Sequence, residues 1–104
     1  MLEKAADYVA LDLETTGLNP REDRIIEIGA VKFIGGSRME NFSSFVNPVI
    51  HIPPRITEIT GIDDNMVSSA PVIDKVLKEL LDFIGELPVL GHNVAFDYGF
   101  VCQK

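Results

Sequence analysis

The sequence contains no tryptophan, two tyrosines, two histidines and a single cysteine, Cys102, among its 104 residues. One cysteine excludes an internal disulfide and fits a reducing, cytoplasmic compartment. The shortage of large aromatic rings, in so short a chain, argues against a glycosidase working through two carboxylates, whose sugar groove would use such rings. No apolar run approaches the roughly 18 residues that a membrane span requires, and no basic segment followed by an apolar one opens the chain as a secretory signal would. Positive charge is scarce as well. Nine Lys and Arg stand against sixteen Asp and Glu, a net charge of −7, which argues against any partner held by an open basic surface, DNA included. Repeats, low-complexity stretches and linkers are also missing. What remains is 46% hydrophobic and 24% charged, the composition of one folded domain long enough to bury a core.

Tyr8 to Leu13 is a short, almost continuously apolar run, expected to form a central strand covered on both faces. It ends in the turn-rich segment Thr15-Thr16-Gly17-Leu18-Asn19-Pro20. Ile25 to Ile34 reads as a second strand, interrupted only by Glu27 and Lys32. Gly35-Gly36 offers a tight turn into a third, Glu40 to Val46. Joined by short loops, the three predict an antiparallel meander. His51-Ile52-Pro53-Pro54 then excludes regular structure. Arg55 to Thr60 suits one short helix stopped by Gly61. Pro71 suits the first turn of a longer helix, in which Val72, Ile73, Val76, Leu77, Leu80, Leu81 and Ile84 recur at helical spacing before Gly85. Pro88 to Leu90 is a brief strand, and Asn93 is placed to cap a last helix carrying Val94, Tyr98 and Val101.

Asp12 and Glu14 stand two apart at the end of the first strand, so their side chains share one face roughly 6.5–7 Å apart. Two acids closing an apolar strand are costly unless solvated or neutralised by a cation. A pair of divalent ions about 3.5–4 Å apart, clamped by acidic oxygens, would neutralise them and suits phosphodiester hydrolysis. Taken alone, the Asp-x-Glu spacing is more often just a strand end with two solvated acids. A third acid shifts that balance. His92-Asn93-Val94-Ala95-Phe96-Asp97 sets Asp97 in the first turn of the last helix, where the bland alternative is an acid favoured by the helix dipole.

Four segments in order then carry a resemblance: Asp12-Leu13-Glu14-Thr15-Thr16-Gly17-Leu18, Ile25-Ile26-Glu27-Ile28-Gly29-Ala30-Val31, Ile59-Thr60-Gly61-Ile62 and His92-Asn93-Val94-Ala95-Phe96-Asp97. Together they resemble the DnaQ-like family of DEDD 3′–5′ exonucleases, most of all the proofreading exonuclease domains of PolC-type bacterial DNA polymerase III. The resemblance implies an α/β, ribonuclease H-like mixed sheet: the three-strand meander plus a parallel strand, with helices packed on it. It implies Mg²⁺ or Mn²⁺ as cofactor, two ions in the intact domain. Asp12, Glu14 and Asp97 would be the metal ligands and catalytic acids, with Asp12 bridging both ions. Thr15, Thr16 and Gly17 match the turn whose backbone approaches the terminal nucleotide. Leu18 matches an apolar wedge against the terminal base, and Asn93 and Phe96 would line the same pocket. The implied partners are the single-stranded 3′ end of DNA and a DNA polymerase III catalytic subunit or domain. Apolar and aromatic contact tolerates any base, as removal of whichever nucleotide is terminal requires.

The family's third motif, a histidine or tyrosine followed by an aspartate, supplies a fourth acid and the general base. Only seven residues follow Asp97, too few for it. The chain is therefore expected to be the N-terminal portion of one exonuclease domain, C-terminally incomplete, and very poor at hydrolysing single-stranded DNA. In the complete reaction the base would take a proton from the water that attacks the last phosphodiester, releasing a nucleoside monophosphate. Two alternatives are carried with this reading: an RNA-directed 3′–5′ exonuclease, since the motifs present do not separate DNA from RNA, and a non-catalytic interaction module with vestigial ligands. Several residues have plainer readings. His51 is expected to be structural or at the surface, His92 to orient its loop, and Cys102 to pack a helix. Glu27 is open between a bond near the site and an exposed edge.

Overall fold

Alternation of apolar and polar side chains along the first strand decides which way the sheet faces. The computed structural model describes residues 7–19 and 21–91. In β1 (Tyr8–Thr15), Val9, Leu11 and Leu13 are buried, whereas Tyr8, Ala10 and Glu14 on the opposite side are half-buried and Asp12 is exposed. Only one face of this strand is fully covered among the described residues, rather than both. Successive side chains of a strand point to opposite faces, so the two acids are fixed on the less covered one.

β1 pairs antiparallel with β2 (Ile25–Ile34), and β2 antiparallel with β3 (Ser37–Phe45). β4 (Val89–Gly91) pairs parallel with β1, giving the order β3-β2-β1-β4. This is the mixed sheet expected from the sequence. Gly35 and Gly36, with φ of 59° and 83°, make the tight turn between β2 and β3, a backbone that side chains resist.

The helix α3 (Ile73–Ile84) covers the buried face. Val76 and Leu80 enter the cluster of Val9, Leu11, Leu13, Ile25, Ile28, Ala30 and Val46, with Leu77, Phe83 and Ile84 packed around it. Burial of each such aliphatic side chain is worth about 1.5–3 kcal/mol. Pro71 lies before this helix rather than in its first turn, and Val72 instead bridges to Asn47. At the other end Gly85, at φ 60°, donates its N–H to the Leu81 carbonyl at 3.0 Å.

A β-bulge gives the sheet a second core. Glu14 pairs with Glu27 but Thr15 pairs with Ile25, so Ile26 is the extra residue. Such an insertion re-aims one side chain. Ile25 stays in the first cluster, while Ile26 joins Ile52, Ile56, Ile62 and Val67 in another. Those partners come from α1 (Pro54–Thr60), α2 (Asp64–Val67) and their flanking loops. The bulge thus seats α1 beside the end of β1 where the acids lie. Among the described residues no helix is long and apolar enough to cross a membrane.

Candidate active site

Asp12 and Glu14 share the less covered face of β1, as their spacing requires. Across from Asp12 stands Gly29, which has no side chain to shield or pair with the carboxylate. Opposite Glu14 is Glu27, placing like charges face to face on paired strands. Such pairs are destabilising unless something neutralises them. Partial burial, then the neighbouring Asp12, then Glu27 together raise the Glu14 pKa above its ordinary value of 4.5. Glu27 is accordingly half-buried rather than an edge residue in water, and it makes no hydrogen bond or ion pair through its side chain with another described residue. It faces the site and adds negative charge.

These oxygens are hard donors of the kind Mg²⁺ and Mn²⁺ prefer. The mutual repulsion of Asp12, Glu14 and Glu27 is what a bound cation would relieve, so the residues fit such an ion. Among the described residues no group of three Asp, Glu, His or Cys side chains is close enough to hold a metal on its own. Asp97, Asn93 and Phe96, expected at this site, lie outside the described residues, as do His92 and Cys102.

The turn after β1 is braced by a carboxylate of another kind. The Thr16 hydroxyl, in a residue only 1% exposed, donates to Asp23 Oδ1 at 3.1 Å and accepts the Arg24 N–H at 2.9 Å. Asp23 Oδ2 accepts the Asn19 N–H at 3.0 Å, and the Thr15 hydroxyl donates to the Gly17 carbonyl at 2.6 Å. A Cβ on Gly17 would press into the Asp23 carboxylate, which explains why glycine stands there. Thr16 therefore turns its side chain inward to hold the turn, while Leu18 is held out at 83% exposure.

Opposite this turn, α1 forms a second wall. A groove of about 340 Å³ is lined by Glu14, Thr15, Gly17 and Leu18 on one side and by Arg55, Ile59 and Thr60 on the other. Small-molecule sites span roughly 300–1,000 Å³, so the groove has room for about one nucleotide. Ile59, 77% exposed, is a second apolar side chain presented beside Leu18. Sequence reasoning missed this wall. Ile59 and Thr60 fall inside a segment that carried the family resemblance, which could have flagged them, whereas Arg55 carried no local signal. His51 is exposed and bonded through Nδ1 to Asp64 Oδ2 at 3.1 Å, at the surface as expected.

Residues 9–104 match the RNase_T family, described as exonuclease. The DNA polymerase III PolC-type of Clostridium perfringens is 48% identical over 95 residues, covering 91% of this chain and 7% of that protein. A putative bifunctional exonuclease/endonuclease protein of Mycobacterium tuberculosis is 44% identical over 100 residues, covering 90% of this chain and 16% of that protein. The chain thus spans a small fraction of the curated relatives it matches. Among solved structures, exonuclease X in complex with 5′-overhanging duplex DNA superposes with a TM-score of 0.78 at 30% identity, covering 89% of this chain and 52% of that one. Exonuclease I reaches a TM-score of 0.80 at 20% identity, covering 91% of this chain and 22% of that one, a likeness of fold.

Proposed function

The chain belongs to the exonuclease family that its residues 9–104 match, and from that premise we propose that it is part of a 3′–5′ exonuclease domain. Its substrate would be single-stranded DNA, and its role proofreading beside a DNA polymerase III catalytic subunit or domain. The observation that carries this reading is the joining of two unlike surfaces. Asp12 and Glu14 share one strand face and meet no neutralising partner among the described residues, and Glu14 of that pair lines a nucleotide-sized groove whose walls present Leu18 and Ile59. The similarity to PolC-type polymerases and to an exonuclease solved with DNA supports the choice of substrate and context.

Asp12 and Glu14, joined by Asp97 from the later motif, would hold Mg²⁺ or Mn²⁺. When bound, the ions supply charge neutralisation and Lewis acidity at the scissile phosphate. The chain's own residues do the rest. Leu18 and Ile59 would hold a terminal base by apolar contact, without reading its identity. The latch of Thr16 and Asp23 fixes the turn that carries Leu18, so the base is held in one place relative to the carboxylates. Residues 1–104 would form the N-terminal portion of one domain, with the third-motif base supplied by further chain.

The test is hydrolysis of a 5′-labelled single strand with Mg²⁺ or Mn²⁺, in parallel with an RNA strand of the same sequence. Shortening from the 3′ end should be very slow with these 104 residues and ready with a chain continued through a third-motif histidine and aspartate. Asp12→Ala in that longer chain should cost on the order of 10²–10³-fold or more, as loss of transition-state charge stabilisation does. Preference for RNA would move the reading to an RNA-directed exonuclease. Indifference to Asp12→Ala would favour a non-catalytic module.

A further inference from the structure

The groove that takes the terminal base presents apolar side chains and a carboxylate, in a chain of net charge −7. A nucleic-acid strand brings one negative charge per nucleotide, so a site built only from Glu14, Leu18 and Ile59 would repel the backbone attached to the base it grips. Among the described residues, a single cationic side chain lines this groove. Arg55 stands in α1, four residues before Ile59, and residues at i and i+4 are neighbours on one helix face. Arg55 is exposed, and it makes no hydrogen bond or ion pair with any other described residue. By contrast Arg24 is bound to the Pro48 carbonyl at 3.1 Å and Lys32 to Glu40 at 3.3 Å. A guanidinium with its fork of donors unspent, on the wall of a base-sized groove, matches phosphate geometry.

Resting on the exonuclease reading above, we propose that Arg55 is a substrate-binding residue whose guanidinium takes a backbone phosphate of the DNA strand whose terminal base sits between Leu18 and Ile59. Net charge then ceases to be an obstacle, because one well-placed cation substitutes for a broad basic surface.

The experiment is fluorescence anisotropy of a 5′-labelled single-stranded oligodeoxynucleotide of about ten nucleotides, titrated with this chain in Ca²⁺ across a salt series. Arg55→Ala should weaken binding by about tenfold and make the slope of log affinity against log salt shallower by about 0.7, the value for one phosphate contact on a single strand. Arg55→Lys should keep the slope and lose part of the affinity, since it retains charge without the fork. Thermal midpoints without DNA should match, because the side chain is exposed and supports no other contact. Unchanged affinity in Arg55→Ala would overturn the proposal and leave the exonuclease reading standing. A loss of affinity with unchanged slope would overturn it too, since Arg55 would then act on something other than a phosphate. No binding by the unaltered chain would overturn the exonuclease reading, and the proposal with it.

Discussion

Asp64 and Glu14 are both partly exposed carboxylates, yet the fold treats them in opposite ways. Asp64 accepts the Ile52 N–H at 2.7 Å and faces His51, and that backbone bond first, then the histidine, lowers its pKa below the usual 3.8. Asp23 is of the same kind, tied to Thr16 and to the Asn19 N–H. Among the described residues Glu14 receives no such partner and instead confronts Asp12 and Glu27. Carboxylates that hold loops are satisfied by the chain itself. Those at the end of β1 meet no such partner among the described residues, and the proposed cation would satisfy them.

That contrast can be broken at several points. The largest effect is expected at the Asp23 latch. Gly17→Ala would drive a methyl group into a carboxylate already fixed by two hydrogen bonds, and overpacking of this sort costs about 1–3 kcal/mol. Urea denaturation would read it. Thr16→Val keeps the shape but strips a buried hydroxyl from the Arg24 N–H and from Asp23, for an expected loss of about 1–2 kcal/mol in the same assay.

At the other kind of carboxylate the sign should reverse. Without metal, Glu14→Gln is expected to stabilise the chain at neutral pH by roughly 0.2–1 kcal/mol, the cost of like charges directly opposite on paired strands. Because the folded-state pKa of Glu14 is raised, its unfavourable contribution is absent at low pH and appears as pH rises through the carboxylate range. The gain from Glu14→Gln should therefore grow with pH in thermal melts. The smallest effect is expected at Asp64. Its lowered pKa makes its contribution present above the ordinary value and lost as pH falls through the folded one. Asp64→Asn should lower the melting midpoint slightly at neutral pH and less in acid.

Much of this architecture was legible in the residue order. The apolar runs at Tyr8–Leu13 and Ile25–Ile34, the Gly35-Gly36 turn and the helical period from Ile73 to Ile84 follow from local rules, and the pairing of Asp12 with Glu14 follows from strand periodicity. The bulge was not legible, because Ile25 and Ile26 are equally apolar and only the pairing shows that they enter different cores. Nor was α2, whose four residues from Asp64 are too few to show a period. Glu27 could be placed only once β2 was registered against β1. The wall formed by Arg55 and Ile59 needed the packing of α1 against the end of β1, which no local pattern encodes.

On the proposed function, the β1 carboxylates, which no other described residue neutralises, receive a divalent cation. The most direct test of that binding is a Mn²⁺ titration of the chain at neutral pH, read as the thermal midpoint, beside Asp12→Asn and Asp64→Asn. A ligand that binds only the folded state raises the midpoint with its concentration. That rise is expected in the unaltered chain and in Asp64→Asn, and its loss in Asp12→Asn. A midpoint indifferent to Mn²⁺, or a rise that survives Asp12→Asn, would contradict it.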